Sequence, residues 1–207
     1  MESRKVLVVE RDLLFQVVGG YFQGFKETDN YNLVHQLEKK AIWMNKQEAE
    51  INSDFKQIIG YTAIFHDLTK SVFAYQRSTN DDDYKEKRLQ GKWSWGVGGH
   101  VEKCDSAFPV AFSVRREIQE EIDIGSSPIS SPELLGFIND DFNNVGKVHF
   151  GILFLCEVES LNVAPKDSEI AFGELKRISE IVEISRNKNT EPWSVISVPL
   201  LVKRLGG

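Results

Sequence analysis

The spacing of apolar residues divides this chain into predicted strands and helices before any chemistry is considered. Lys5 to Val9 holds four consecutive apolar residues and reads as a short buried strand. Asp12 to Phe15 begins a turn or short helix, and Gly19, Gly20 and Gly24 make the next residues turn-like. Leu33, Leu37, Ile42 and Trp43 recur at roughly helical spacing, so the pattern predicts a helix over 33–46. Gln57 to Phe65 and Lys70 to Gln76 are β-prone and flank the turn His66 to Thr69, which predicts a hairpin. Trp93 to Gly99 reads as a short strand running into a glycine turn. Further strands are expected over 133–138, 148–158 and 169–175, with helices from Ile178 to Ser185 and Trp193 to Leu205. Strands alternating with helices predict an α/β protein.

The segment from Gly96 to Ile124 carries the strongest pattern. A glycine-rich turn leads into a helix whose Val110, Ala111, Val114, Ile118 and Ile122 share one apolar face. Glu117, Glu120 and Glu121 fall on the adjacent face within an arc of roughly 100°. Like charges three and four residues apart on a helix repel. Such a cluster is tolerated by solvation or made favourable by a bound cation, and hard divalent ions such as Mg²⁺ take oxygen ligands.

Composition narrows the classes. A chain of 207 residues is most simply one domain over 1–207, with residues 1–56 an N-terminal elaboration that packs on the core, forms a lid or makes a homodimer contact. A net charge of −6 argues against a broad nucleic-acid-binding face, but not against a small phosphorylated substrate. Cys104 and Cys156 give neither a disulfide framework nor zinc-ligand spacing, and no apolar run approaches a membrane span. The expected location is cytoplasmic.

Arg116-Glu117-Ile118-Gln119-Glu120-Glu121 resembles the core of the Nudix box of MutT-like proteins, and Gly98-Gly99 resembles the glycine pair that opens it. The spacing from Gly99 puts Asp105 at the outer acidic position, with three extra residues before Arg116, and Asp123 stands at the closing glycine. Asp105 or Ser106 is alternatively a helix N-cap ahead of Pro109. Asp123 is compatible with a left-handed helix end. Glu48-Ala-Glu50, Gln57 to Tyr61, Tyr75 to Arg77, Arg88-Leu89 and Ser94 to His100 extend the likeness to a Nudix branch of predicted phosphoesterases.

The resemblance implies an α/β/α sandwich around a mixed β-sheet. It also implies a Mg²⁺-dependent pyrophosphohydrolase, with Mn²⁺ an alternative ion, acting on a nucleoside diphosphate linked to another group. Glu117, Glu120 and Glu121 are the implied metal ligands and catalytic carboxylates, with Asp105 and the Gly99 carbonyl as further ligands. Arg116 would hold a glutamate by bidentate hydrogen bonds. Gly98, Gly99, Arg77 and Arg88 are the candidates for substrate phosphates, and Glu169 and Glu174 for an outlying general base.

His100 reads either as a phosphate contact or as a loop histidine without function, His149 as a satisfied structural histidine, Asp81 to Asp83 as a solvated loop, and Trp93, Trp95, Phe142 and Trp193 as core or rim packing or as stacking partners for a base. A Nudix fold that binds nucleotide without catalysis is the rival, favoured by Asp105, Asp123 and the longer spacing. An allylic diphosphate isomerase would need a cysteine upstream of the box, which this chain lacks.

Overall fold

The computed structural model describes residues 4–79, 89–105, 108–166, 170–186 and 189–206. In chain order the elements are β1 (Lys5–Glu10), α1 (Arg11–Val17), β2 (Gly24–Glu27), α2 (Tyr31–Lys40), β3 (Ile42–Asn45), α3 (Lys46–Ala49), β4 (Phe55–His66), β5 (Ser71–Arg77), β6 (Trp93–Ser94) and β7 (Val97–His100). They continue with α4 (Pro109–Glu121), β8 (Ile122–Asp123), β9 (Glu133–Asn139), β10 (His149–Glu157), β11 (Ala164–Pro165), β12 (Ile170–Arg177), α5 (Ile178–Ser185) and α6 (Pro192–Leu205). The α/β class expected from the pattern is the one formed. Arg88, Ser106, Glu169 and Asp81 to Asp83 lie outside the described residues.

Two compact units are present, the first comprising residues 1–61, 98–116 and 133–154. Here β1 pairs antiparallel with β3, Val8 opposite Ile42, and with the start of β4, Val8 opposite Gln57. Val6, Val8, Met44 and Ala49 pack together beneath these strands, with Phe55 against them. β2 pairs antiparallel with β9. The helix expected over 33–46 ends early. Ala41 adopts extended backbone (ψ 153°), and the β-prone Ile42-Trp43 run becomes β3, whose backbone groups are satisfied by β1. α2 keeps Val34 and Leu37 on its buried face.

Glycine sets the packing of α4 and β7 on β4. A Cβ at Gly60 would lie 2.7 Å from Val114 Cγ2, and one at Gly98 would lie 1.8 Å from the Gly60 carbonyl oxygen. No real Cβ tolerates either approach, so these glycines let helix and strand backbones close on β4. Among the described residues, no hydrogen bond from the first turn of α4 to Asp105 is seen. Glu38 of α2 accepts the Val110 N–H at 3.0 Å, a long-range cap that local sequence does not announce.

A buried cation organises the other end of the unit. Lys56 of β4 is fully buried, and its Nζ donates to Asp141 Oδ1 and the Gly146 carbonyl, both at 2.6 Å, and to the His149 carbonyl at 3.3 Å. Arg11 also donates to Asp141. The loop between β9 and β10 is thereby tied to β4 and α1.

The second unit comprises residues 62–97, 117–132 and 155–207. β5 forms the expected hairpin with β4, Phe65 opposite Val72, and pairs along its length with β12, from Arg177 opposite Ser71 to Ile170 opposite Arg77. A parallel bridge between Trp93 and Thr190 adds the opposite pairing sense. α6 starts with Pro192 in its first turn, where a missing N–H is harmless. Its Ser197 hydroxyl accepts the indole N–H of the fully buried Trp95 at 3.0 Å. Trp95 is therefore core, whereas Phe142, in the first unit, is exposed. Among the described residues no helix is long and apolar enough to cross a membrane.

Candidate functional site

α4 presents Arg116 and the three glutamates on consecutive turns. Arg116 lies in the first unit, where its guanidinium grips Asp105 through two parallel bonds: Nε to Oδ1 and Nη2 to Oδ2, each 3.1 Å. Its Nη2 also donates to the His100 carbonyl at 3.0 Å. Asp105 is almost wholly buried, and its Oδ2 accepts the Glu102 N–H at 2.7 Å. Bidentate guanidinium–carboxylate pairs fix orientation as well as charge. Asp105 is thus one carboxylate that Arg116 clasps in this way.

The glutamates lie in the second unit. Glu117 is buried to 8% exposure, Glu121 is half-buried and Glu120 is exposed. At i, i+3 and i+4 they share one side of the helix. The helix end beneath them is held by Lys166, whose N–H donates to the Glu121 carbonyl at 2.8 Å and whose Nζ donates to the Gln119 carbonyl at 2.9 Å. A cation at a helix C-terminus answers both the orphan carbonyls and the helix dipole. Nothing local to the box signals Lys166. Asp123 does not take the left-handed position expected for it: Ile122 and Asp123 form a short strand with Pro165 and Ala164. The positive φ falls instead at Gly125 (61°), whose N–H donates to Asp123 Oδ1.

A second cluster was not legible in the sequence. Glu50, at the end of α3, His100, at the end of β7, and His149, at the start of β10, converge in the first unit with one ligand atom each within 4.8 Å of the others. His100 Nε2 and His149 Nε2 are 3.2 Å apart, and Glu50 Oε1 stands 3.9 Å from each. His149 Nδ1 donates to the Val145 carbonyl at 2.7 Å. Burial, then the neighbouring His149 and the charges of Lys46, Arg4 and Arg116, hold the His100 pKa well below its ordinary value. His100 is accordingly a neutral ring at neutral pH. His149 is thus hydrogen-bonded through both ring nitrogens, as the structural reading expects, and the two rings also face a carboxylate.

The NUDIX domain family matches residues 56–195 of the chain. Protein YmaB of Bacillus subtilis (strain 168) is 32% identical over 203 residues, spanning 95% of this chain and 96% of that protein. The chain belongs to the Nudix family. Among solved structures, Tm1382, whose name ranks it provisionally as a Nudix hydrolase, superposes with a TM-score of 0.80 at 27% identity over 97% of this chain and 99% of that one. The MutT protein of Methanosarcina mazei Go1 shares the fold at a TM-score of 0.50 and 17% identity, covering 72% of this chain and 94% of its own. The fold class expected from the box, Nudix-like α/β with a mixed sheet, is the fold of this Nudix protein.

The remaining candidates separate by environment. Arg77 lies 3.9 Å from Glu191 with its guanidinium over the Tyr75 ring, and is mostly buried in the second unit. Glu174 is half-exposed on β12 and paired with Lys176. Gly98 and Gly99 lie in β7, immediately before His100. Cys104 is exposed and Cys156 buried, and the two are not joined in a disulfide.

Proposed function

We propose that this Nudix protein is a metal-dependent hydrolase of the diphosphate bond in a nucleoside diphosphate linked to another group. The observation that carries this reading is the intact Arg116-Glu117…Glu120-Glu121 sequence on one continuous helix, with Arg116 immobilised by Asp105. Three carboxylates at this spacing form an all-oxygen donor set, which fits Mg²⁺, with Mn²⁺ an acceptable substitute.

Glu117, Glu120 and Glu121 would hold the ion, and the Gly99 carbonyl would be a further ligand. When bound, the ion supplies charge neutralisation on the phosphate oxygens and a lowered pKa for an attacking water. Gly98 offers backbone close to a phosphate without side-chain obstruction. Arg77 and Arg88 are proposed to meet substrate phosphates. Asp105 serves this scheme through Arg116: with its oxygens engaged by the guanidinium and the Glu102 amide, it sets the helix position. The catalysis asked of these residues is chiefly positioning and electrostatics. A small phosphorylated substrate and a cytoplasmic location complete the reading.

The test is a panel of dinucleoside polyphosphates, nucleotide sugars, ADP-ribose, nicotinamide dinucleotides and nucleoside triphosphates, assayed for phosphate-bond cleavage with Mg²⁺, with Mn²⁺ and with chelator. Cleavage of at least one class that stops on chelation is expected. Nucleotide binding without cleavage of any class would support the rival reading of a nucleotide-binding protein, which the longer box spacing favours.

A further inference from the structure

The cluster of Glu50, His100 and His149 has the chemistry of a second, different metal site. A backbone carbonyl can only accept a hydrogen bond, so His149 Nδ1 carries a proton and, in the neutral ring, Nε2 is a bare lone pair. This hydrogen bond is the usual outer-sphere support of a metal-bound histidine, fixing both tautomer and ring orientation. That lone pair lies 3.2 Å from His100 Nε2, whose N–H donates to it here, and an ion binding both nitrogens would take the place of that proton. Glu50 Oε1 faces the same two nitrogens from 3.9 Å, beyond hydrogen-bond range of either. Two imidazole nitrogens and a carboxylate thus converge without the carboxylate bonding either ring.

Ligands about 2.0–2.1 Å from one tetrahedral ion stand about 3.3 Å apart. The two nitrogens already meet that spacing, and Glu50 would have to close by about half an ångström, within the flexibility of a partly exposed side chain. Two nitrogens with one oxygen suit zinc and its first-row neighbours, whereas Mg²⁺ prefers oxygen alone. We propose that Glu50, His100 and His149 bind a zinc-type transition-metal ion, at a site separate from the carboxylates of α4.

The site joins α3, β7 and β10 within the first unit. Through His100 it reaches the Nudix box, because the carbonyl of His100 accepts from Arg116. A metal here therefore fixes the residue that follows Gly99 and, with it, one of the acceptors that hold Arg116. It also places the segment before residue 56 in a role the box residues do not reveal.

The test uses the full chain, stripped with chelator and titrated with Co²⁺, whose visible absorption reports a low-coordinate nitrogen and oxygen environment. One equivalent of Co²⁺ is expected to give such bands, Zn²⁺ to abolish them and excess Mg²⁺ to leave them in place. Glu50→Gln and His149→Asn are each expected to weaken binding by at least about tenfold. Glu50→Gln alters a partly exposed side chain, so it stays informative should the His149 variant unfold. Glu120→Gln is expected to keep the full signal, which separates this site from the proposed catalytic ion. Absence of Co²⁺ and Zn²⁺ binding in the wild type, or binding unchanged in Glu50→Gln, would overturn the proposal.

Discussion

Asp141→Asn is expected to destabilise the fold by about 3–5 kcal/mol, the cost of leaving a buried charge without its partner. The charge is that of Lys56, whose side chain is fully buried and whose Nζ otherwise donates, among the described residues, to the carbonyls of Gly146 and His149. Burial already lowers the Lys56 pKa to about 8, against the hydrogen bond and charge of Asp141 that raise it. Removing the carboxylate leaves only the smaller effect of the Asp140 charge against burial. The amide keeps the shape of the side chain, so the loss reports charge and not a cavity.

The pH dependence follows from the same pair. Burial would raise the Asp141 pKa, but hydrogen bonds from Arg11 and Lys56 outweigh it and hold the group at about 2, down from 3.8. A depressed carboxylate contributes stability that is complete above the unfolded value and lost as pH falls through the folded one. For Asp141 that contribution is about 2 kcal/mol, lost between about pH 4 and pH 2. The lowered Lys56 pKa acts with the same sign in an alkaline window: the cost of burying the charged amine is relieved, and stability rises, as pH climbs from about 8 toward 10.5. Urea unfolding of wild type and Asp141→Asn checks both claims: the variant should show a weaker acid loss, and its deficit should shrink at alkaline pH. A difference below about 1 kcal/mol at neutral pH would refute the role given to Asp141.

Glu120→Gln is expected to reduce turnover by about a hundred- to thousandfold, the scale of losing one positioned electrostatic group in an active site. Its effect on stability should stay within about 0.5 kcal/mol, because the residue is exposed on the solvent side of α4. Glu117 is a less clean probe, since its burial makes any substitution a change in packing as well. The expected split is a lower kcat at nearly unchanged melting temperature, measured on whichever substrate class the panel identifies. Equal turnover in wild type and variant would remove Glu120 from the catalytic scheme.

What the sequence revealed follows from where the signal is local. β1, β4 and β5 are unbroken or nearly unbroken apolar runs bounded by turns, and α5 follows Ile178 to Ser185 as its pattern predicts. The box helix was visible because its apolar and acidic faces repeat at the helical period over thirteen residues, Pro109–Glu121. Residues 42–45 misled because Ile42 and Trp43 suit a helical stripe as well as a strand, and only pairing with β1 decides between them. Tertiary contacts hid the rest. Lys56 looks like a surface lysine until Asp141 and two carbonyls enclose it. Glu38 caps a helix that begins far along the chain, and Lys166 closes the same helix from beyond its end. Glu50, His100 and His149 are each separated by about fifty residues, so no spacing rule brings them together before the strands do.

The central claim is that the carboxylates of α4 hold the ion that drives diphosphate cleavage. Its most direct test is electron paramagnetic resonance of Mn²⁺ bound together with a non-hydrolysable nucleoside diphosphate analogue, in wild type, Glu117→Gln/Glu120→Gln and Glu50→Gln proteins. A Mn²⁺ signal coupled to phosphorus is expected in the wild type and in Glu50→Gln, and its loss in the double variant. A phosphorus-coupled signal of undiminished strength in the double variant would contradict it.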